Sequence, residues 1–411
     1  MSSEQMSALA SERLRHRRRP ATWLLQKLLP TPRAGSLVIE TPSGDRIKLR
    51  GADDGPEAAV SLLRWRAIWR LVTGGDVGFA DAYIDGDWAS PDLPLLLDWA
   101  VCNEENLART MRGTVSSRFA LRLLHSRRAN SRRGSRRNIA AHYDLGNAFY
   151  ETWLDRGMSY SSAVFTAPKQ SLEEAQEAKL DRVEALLDIK GGESVLEIGF
   201  GWGGVLERLI GRHACGMTGL TLSTEQLAYA QNRLRDRDLA ARADLRLQDY
   251  RDVQGTFDRI VSIEMLEAVG ERYWPVYFKT LRDRLKAGGT CVLQVITIAE
   301  QRYAAYRDNP DFIQRHVFPG GMLPTKTIMR EQARQAGLAV TAEEAFGQSY
   351  AVTLQEWRRR FLAAWPRIEP LGFDARFRRM WEYYLAYCES GFRCGTVDVS
   401  LFQLRGADAA V

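Results

Sequence analysis

The stretch VLEIGFGWGG, residues Val195 to Gly204, decides the fold class that the sequence predicts. It places Gly199, Gly201 and Gly204 in the spacing G-x-G-x-x-G, directly after the apolar run VLEI. Such glycines permit a tight strand-to-helix turn and let the backbone approach a nucleotide closely. The spacing alone leaves three ligands open, namely a dinucleotide, a mononucleotide and S-adenosylmethionine.

The segments on both sides of this turn alternate between helical and strand-like patterns. A helix is predicted from SLEEAQEAKLDRVEALLDI, which opens with the capping-box pair Ser171 and Glu174. The strand candidates are ESVLEIG, GMTGLTL, ADLRLQD, FDRIVSI and GTCVLQVITI, separated by helical stretches such as TEQLAYAQNRLRDR. This alternation predicts an α/β, doubly wound, Rossmann-like domain with a mainly parallel sheet.

The chain is long enough for more than one domain, and its pattern changes along its length. SLVIETPSGDRIKLRG indicates two strands around a turn at Gly44, and LPLLLDWAV indicates a buried helix. We therefore predict a basic N-terminal segment (1–34), a small α+β domain (35–120), an arginine-rich linker (121–137) and an α/β domain that holds the glycine turn and has helical lid insertions (138–411).

Composition and charge exclude several classes of protein. The 411 residues are 45% hydrophobic and 26% charged, and no apolar run is long enough to span a membrane. The five cysteines lack C-x-x-C spacing, so neither a metal site nor a disulfide framework is predicted, and a reduced, cytoplasmic protein is expected. The net charge of +6 is concentrated in arginine-rich stretches at 11–20 and 126–137. These are either solvated segments or sites that attract a polyanion, such as anionic lipid.

The residues after the glycine turn narrow the choice of ligand. A bound NAD would require an acidic residue about 20 positions past the glycines, yet the second strand ends in TGLTLSTEQ without an acid at its tip. No Gly-Lys-Ser/Thr follows the turn, which excludes a P-loop. Glu197, just before the glycines, is common in methyltransferase loops. The pattern therefore favours S-adenosylmethionine.

From about residue 142 to residue 405 the chain resembles the cyclopropane-fatty-acyl-phospholipid synthase family, relatives of mycolic acid cyclopropane synthases. The resemblance rests on HYDLGNAFYETWLDRGMSYSSAVF, LEIGFGWGG, TLSTEQ, LQDYRD, DRIVSIEMLEAVG, VFPGGMLP, FGQSYAVTLQEWRRRF and YYLAYCESGFRCGTVDVSLFQL, in that order. It implies a cofactor site for S-adenosylmethionine in which Gly199 and Gly201 approach the methionine part. Tyr160 and Ser161 are expected to contact its carboxylate, with Tyr143 nearby. Thr221 and Gln226 are expected at the ribose, and Tyr250 beside the adenine. Glu197 and Ile263 complete the implied set of cofactor-binding residues. For Gln226 an alternative stays open, because Ser223 and Gln226 have capping-box spacing.

The resemblance also implies a catalytic base, a bicarbonate ion held by protein groups. By position, Glu267, Tyr350 and the backbone of Ile296 match the family, whereas Ser162 and Gln294 replace a cysteine and a histidine. Ala268 stands where another histidine is usual, and Glu264, one helical turn before Glu267, could share this site or support the cofactor. Serine and glutamine still donate hydrogen bonds, but the ionisable imidazole is lost.

The implied activity is an S-adenosylmethionine-dependent C-methyltransferase that acts on the cis double bond of unsaturated acyl chains in membrane phospholipids. A cyclopropane product is expected, with a methyl-branched or methylene product without ring closure as the alternative. Aromatic side chains such as Tyr160 and Trp202 are expected to stabilise a carbocation. The expected partners are an anionic phospholipid bilayer at the inner face of the cytoplasmic membrane and a second copy in a homodimer, without nucleic acid. A small-molecule methyltransferase and a non-catalytic binder of lipid or cofactor are the more distant alternatives.

Overall fold

The structure is a computed structural model, and it describes residues 29–111 and 145–407 together with Thr22 and Leu25. The chain divides into two compact units, Met1–Arg118 and Phe119–Val411. The predicted arginine-rich linker and most of the basic N-terminal segment lie outside the described residues. The domain boundaries given above therefore stay a prediction.

The first unit contains a four-stranded sheet in the order β2-β1-β3-β4. Strands β1 and β2 form the antiparallel hairpin expected around Gly44, β1 and β3 run parallel, and the short β4 pairs antiparallel with β3. LPLLLDWAV forms the buried helix α2, so that prediction is confirmed. The bounds are β1 (Ala34–Glu40), β2 (Arg46–Arg50), β3 (Asp53–Leu62), α1 (Arg66–Ile84), β4 (Trp88–Ala89), α2 (Leu93–Cys102) and α3 (Glu104–Met111).

The second unit alternates helices and strands as the sequence predicts. Its strands are β5 (Ser194–Ile198), β6 (Gly216–Thr221), β7 (Ala243–Leu247), β8 (Phe257–Ile263), β9 (Leu285–Ile298), β10 (Leu338–Ala345) and β11 (Val397–Gly406). Its helices are α4 (Asn147–Tyr150), α5 (Leu172–Leu187), α6 (Gly204–His213), α7 (Thr224–Arg235), α8 (Trp274–Arg284), α9 (Tyr303–Asp308), α10 (Phe312–His316), α11 (Lys326–Gln335), α12 (Gly347–Ile368) and α13 (Ala375–Arg393).

These strands form one seven-stranded sheet in the order β10-β11-β9-β8-β5-β6-β7. Strands β5 to β9 run parallel, which confirms the doubly wound, Rossmann-like arrangement. The seven strands agree with the number typical of the predicted fold, but β10 and β11 were not among the five strand candidates, and both pair antiparallel at one side of the sheet. From β5 the chain continues outward to β6 and β7 on one side of the sheet, and then returns to β8 on the other side of β5. The strand order therefore reverses at β5, and ligands bind at such a switch point.

The core of this unit has two layers, one on each face of the sheet. Successive residues of a strand alternate between the layers, so that Val195 joins one cluster while Leu196 joins the other. Helix α5 starts at the predicted capping box, in which the Ser171 hydroxyl accepts from Glu174 N–H and the Glu174 carboxylate accepts from Ser171 N–H. Of the described helices, none is long and apolar enough to cross a membrane.

Candidate active site

A cavity opens at the carboxyl ends of β5, β6 and β8, where a doubly wound sheet binds its ligand. Among the residues that line it are nine of the predicted cofactor residues, and they come from separate elements. These are Tyr160, Ser161, Glu197, Gly199, Gly201, Thr221, Gln226, Tyr250 and Ile263. The tenth, Tyr143, lies outside the described residues. The structure thus brings the described members of the predicted set together at one place.

The glycine turn between β5 and α6 presents bare backbone to this cavity. Gly199 has φ +82° and Gly201 has φ +55°, values in the left-handed region that favours glycine. A Cβ atom on Gly199 would lie 3.0 Å from Cγ of Met265, closer than side chains normally pack. The turn therefore needs glycine at 199 for two reasons, the backbone angle and the close neighbour.

Two buried polar groups in the cavity wall have no hydrogen-bond partner among the described residues. They are Oε2 of Glu197 and the hydroxyl of Tyr250. Burial raises the pKa of Glu197 to about 8 and the pKa of Tyr250 above its usual range. Unpaired buried polar groups are costly and rare, so these two fit a ligand with polar groups of its own, as S-adenosylmethionine has.

The end of β6 holds a small hydrogen-bonded group that decides how Gln226 is used. Oγ of Ser223 accepts from Gln226 N–H at 3.3 Å, which caps helix α7. The reciprocal half of a capping box is not made, because Ser223 N–H donates to Oγ1 of Thr221 instead. The Thr221 hydroxyl donates to Oε1 of Gln226 at 2.9 Å, and both side chains line the cavity. Ribose contact by this pair stays a prediction.

The segment before α5 supplies Tyr160 and Ser161. The hydroxyl oxygens of Tyr160 and Tyr384 lie 2.8 Å apart, and the Tyr160 ring packs against Trp153 and Trp357. Oγ of Ser161 accepts a 3.0 Å hydrogen bond from Nζ of Lys179. The tyrosine therefore belongs to an aromatic cluster and also faces the cavity, so core packing and ligand contact are compatible here.

Glu264, which follows β8, lies at the centre of the residues predicted for catalysis. Its Oε1 accepts from Ser162 N–H at 2.8 Å and from Nε2 of Gln294 at 2.7 Å. Its Oε2 accepts from the hydroxyl of Tyr350 at 2.6 Å. Burial raises the pKa of Glu264, and these hydrogen bonds oppose that rise. Glu264 also lines the cavity, so it connects the predicted catalytic residues with the predicted cofactor site.

Glu267 lies next to this group on a short turn of helix. Its Oε1 accepts from the backbone N–H of Ile296 at 2.6 Å, whereas its enclosed Oε2 has no partner among the described residues. Burial raises the pKa of Glu267 to about 8, and the charge of Glu264 adds to this rise. A carboxyl group with a raised pKa and a free oxygen atom is suited to accept a proton.

The predicted bicarbonate does not fit this arrangement. Four of the five groups expected to hold it are Ser162, Gln294, Tyr350 and the N–H of Ile296, and each of these already donates to Glu264 or Glu267. The fifth expected group is Glu267 itself, which accepts the hydrogen bond from Ile296. Ser162 uses its N–H here, since its hydroxyl donates to the backbone oxygen of residue 163. The predicted catalytic residues do come together, but around carboxylates of the protein itself.

Sequence reasoning missed Lys179, which is 2% exposed and lines the cavity. A signal was present, because Lys179 precedes Val183 by four residues and so shares the apolar face of α5. A lysine on such a face is either covered by its neighbours or used by a ligand.

Comparison with known proteins places the chain among lipid-modifying methyltransferases. It is 39% identical over 369 residues to the tuberculostearic acid methyltransferase UfaA1 of Mycobacterium tuberculosis, which covers 85% of this chain and 83% of that protein. It is 34% identical over 341 residues to the cyclopropane-fatty-acyl-phospholipid synthase of Escherichia coli, which covers 82% of this chain and 84% of that protein.

Solved structures agree in fold. The cyclopropane synthase MmaA2 from Mycobacterium tuberculosis superposes with a TM-score of 0.62 at 30% identity, over 66% of this chain and 97% of that one. The same values hold for the mycolic acid cyclopropane synthase CmaA1 complexed with SAH and CTAB. The sequence model described as mycolic acid cyclopropane synthetase matches residues 130–402 of this chain.

Proposed function

We propose that this chain, which belongs to the mycolic acid cyclopropane synthetase family and is an S-adenosylmethionine-dependent methyltransferase, methylates unsaturated acyl chains of membrane phospholipids. The names of two relatives, a tuberculostearic acid methyltransferase and a cyclopropane-fatty-acyl-phospholipid synthase, support an acyl chain as the acceptor. The cis double bond of that chain supplies the electrons for the new carbon–carbon bond.

S-adenosylmethionine, when bound, supplies an electrophilic methyl group. Gly199 and Gly201 offer it a backbone without side chains, and the unpartnered carboxylate oxygen of Glu197 accepts from its ammonium group. Thr221 and Gln226, already joined to each other, offer their remaining hydrogen-bonding capacity to the ribose. Tyr250 flanks the adenine. These side chains orient the methyl group and exclude water from it.

Addition of a methyl group to one alkene carbon leaves positive charge on the other, and the protein must stabilise this charge without trapping it. Tyr160 and Trp202 line the cavity and belong to a continuous cluster of aromatic rings. A cation over an aromatic face gains about 0.5–2 kcal/mol, and a ring forms no covalent bond with it. The aromatic wall therefore suits a cationic reaction.

The reaction ends when a base removes a proton, and the chain provides that base itself. The observation that carries this proposal is the Glu264 carboxylate, which accepts hydrogen bonds from Ser162, Gln294 and Tyr350. Glu267, with its free Oε2, stands beside it. In our proposal Glu264 takes the proton from the methylated chain. The proton can pass on to Glu267 in the molecules in which that carboxyl is ionised, a fraction that grows as pH approaches its pKa of about 8.

The position of proton loss decides the product. Loss from the new methyl group with ring closure gives the cyclopropane, which is the product first expected from the sequence. Loss from a neighbouring chain carbon, or from the methyl group after a hydride shift, gives a methyl-branched alkene or a methylene group. We favour the branched or methylene product, because in this proposal the base is the fixed carboxylate of Glu264. It takes the place of the mobile bicarbonate ion expected from the family resemblance. The higher identity to the tuberculostearic acid methyltransferase supports this choice.

The substrate also sets where the enzyme works. We propose a cytoplasmic protein that visits the inner face of the membrane, attracted by anionic lipid to its arginine-rich segments, at about 1 kcal/mol for each basic residue near the surface. A homodimer is part of the same proposal. Binding to anionic vesicles should weaken as salt is raised, because screening shortens the range of this attraction. Vesicle binding that does not change with salt contradicts the electrostatic part.

Mass spectrometry of fatty acids from a cyclopropane-deficient bacterium that expresses this chain tests the proposed function. We expect a mass gain of one CH₂ with the double bond retained or shifted. The same gain with ring fragments and no double bond would show ring closure and overturn the favoured product. A lipid fraction without any gain would overturn acyl methylation and point to a small-molecule methyltransferase or a non-catalytic binder.

A further inference from the structure

Helix α5 brings a buried lysine into the cavity, and this lysine has no ion pair among the described residues. Lys179 is 2% exposed, and its Nζ donates one 3.0 Å hydrogen bond to Oγ of Ser161. Burial lowers the pKa of Lys179, and the carboxylates of Glu264, Asp155 and Glu197 oppose this shift. Among the described residues, none of these carboxylates lies within ion-pair distance of the lysine. A buried, unpaired charge is expensive, so such a group is normally paired when the protein is at work.

The neighbours of Lys179 show what kind of partner is missing. Glu197 lines the same cavity, and its Oε2 also lacks a partner. The two charges are close enough for each to influence the pKa of the other, yet they do not pair. Glu264 acts most on the pKa of Lys179 and lines the same cavity, but its oxygens accept from Ser162, Gln294 and Tyr350. The cavity thus has an amine, Lys179, and a carboxyl group, Glu197, that stand apart. An α-amino acid, with its ammonium and carboxylate on one carbon atom, is complementary to this arrangement.

We propose that the Lys179 ammonium pairs with the carboxylate of the methionine part of bound S-adenosylmethionine, while Glu197 receives the ammonium group. The inference rests on the proposed function, because it concerns the cofactor of that activity. Ser161, the hydroxyl partner of Lys179, is one of the residues expected at the same carboxylate, so a single hydrogen bond joins the new contact to the expected one. Lys179 is thereby a cofactor-binding residue.

The phosphate of a lipid headgroup is the other anion that a lysine could pair with. Two observations favour the carboxylate. Lys179 is almost fully enclosed, whereas a headgroup stays at the membrane surface. The same cavity is lined by the glycine turn, expected at the methionine part of the cofactor, and by Thr221 and Gln226, expected at its ribose.

The substitution Lys179→Met removes the charge and keeps the length of the side chain. Replacement of a buried, unpaired charge by an apolar group of similar size is often neutral or stabilising, so the variant should fold. Lys190→Met is the matched control, because Lys190 lies just beyond the end of α5 with an exposed side chain. Circular dichroism and thermal unfolding establish that both variants are folded.

Calorimetric titration with two ligands separates a carboxylate contact from a general structural role. S-adenosylhomocysteine has the amino acid end, and 5′-methylthioadenosine lacks it. Loss of a buried charge pair should weaken S-adenosylhomocysteine binding to Lys179→Met about 30-fold or more. Binding of 5′-methylthioadenosine should change less than about twofold, and Lys190→Met should bind both ligands like the wild type.

Equal weakening of both ligands, or no weakening of either, overturns the inference and leaves the proposed function standing. A wild-type protein that binds no S-adenosylhomocysteine would instead contradict the proposed function. If Lys179→Met does not fold, the wild-type protein still provides the test. The carboxamide of S-adenosylhomocysteine, which lacks the negative charge, should then bind about 30-fold more weakly than the acid. Equal affinity of acid and amide overturns the pairing.

Discussion

The hydroxyl of Tyr350 on helix α12 donates a 2.6 Å hydrogen bond to Oε2 of Glu264, the first residue after strand β8. The two residues are 86 positions apart in the chain. Their contact ties the C-terminal helices of this unit to the carboxyl end of the sheet, where the cavity lies. It also holds one oxygen of the carboxylate that we propose as the base, so that its orientation depends on a residue far away in sequence.

Removal of this hydrogen bond should slow turnover without affecting the cofactor. A hydrogen bond to a charged group contributes about 1.5–3 kcal/mol, so Tyr350→Phe should lower kcat about 10- to 100-fold. The pKa of Glu264 should rise further once this donor is lost, which moves the pH–rate profile to higher pH. Steady-state kinetics over a pH series measure both effects. An unchanged kcat, or a matching loss of S-adenosylhomocysteine affinity, would place Tyr350 outside the base site.

Deletion of the Glu264 carboxylate should make the enzyme depend on added bicarbonate. Glu264 has φ +49°, so Glu264→Gly suits the backbone, whereas Glu264→Ala should be about 1 kcal/mol less stable than the glycine variant. In the glycine variant the donors of Ser162, Gln294 and Tyr350 become free to hold an anion. Turnover is measured in carbonate-depleted buffer with and without bicarbonate. A wild-type enzyme that itself requires bicarbonate contradicts the fixed carboxylate as base.

Glu267→Gln should abolish turnover and leave cofactor affinity nearly unchanged. The amide cannot accept a proton, although its oxygen can still accept the hydrogen bond from Ile296 N–H. Glu267 is not among the residues that we expect at the cofactor. Product formation and S-adenosylhomocysteine titration, run on the same preparation, give the two readings. Undiminished activity would show that Glu267 plays no part in the base site.

The same variant should change how stability depends on pH. The pKa of Glu267 is about 8 in the folded protein, against 4.5 without the surrounding structure. Between these values the unfolded chain has lost the proton and the folded chain keeps it, so the free energy of unfolding falls as pH rises. Above about pH 8 this dependence ends. Relative to the wild type, Glu267→Gln should gain thermal stability from about pH 5 to about pH 8. A constant difference in Tm across this range would contradict the raised pKa.

Gly199→Ala should weaken cofactor binding more than strain alone explains. The new Cβ would meet Cγ of Met265 at 3.0 Å and would sit in a backbone with φ +82°. Gly288 is the matched control, because it has φ +73° and a Cβ there meets no atom within 4 Å. Both variants should lose about 1–2 kcal/mol of stability, and only Gly199→Ala should lose S-adenosylhomocysteine affinity, by about tenfold or more. Equal effects on binding would mean that backbone strain, and not close approach, explains the glycine.

Local sequence determined the elements that frame the site. The run VLEIGFGWGG predicted a strand, a glycine turn and a helix, because each depends on neighbours within a few residues. The capping box of α5 and the strands β5 to β9 were predicted for the same reason. Strands β10 and β11 were not among the strand candidates. Most residues of β10 (LAVTAEEA) are not buried, so its sequence lacks the apolar run that marks the inner strands.

In the candidate site, too, some features follow from the sequence and others only from the tertiary structure. The sequence by itself determined which residue types stand at 162, 267, 294, 296 and 350, and through the family resemblance it assigned them to one site. Only the tertiary structure decided that Glu264 occupies their centre, because its partners come from three distant segments of the chain. Only the tertiary structure, likewise, placed Lys179 in the cavity wall, buried and without an ion pair among the described residues. Hydrogen-bond partners and pKa shifts depend on burial and on distances of a few ångströms between atoms, and the order of residues along the chain does not specify these.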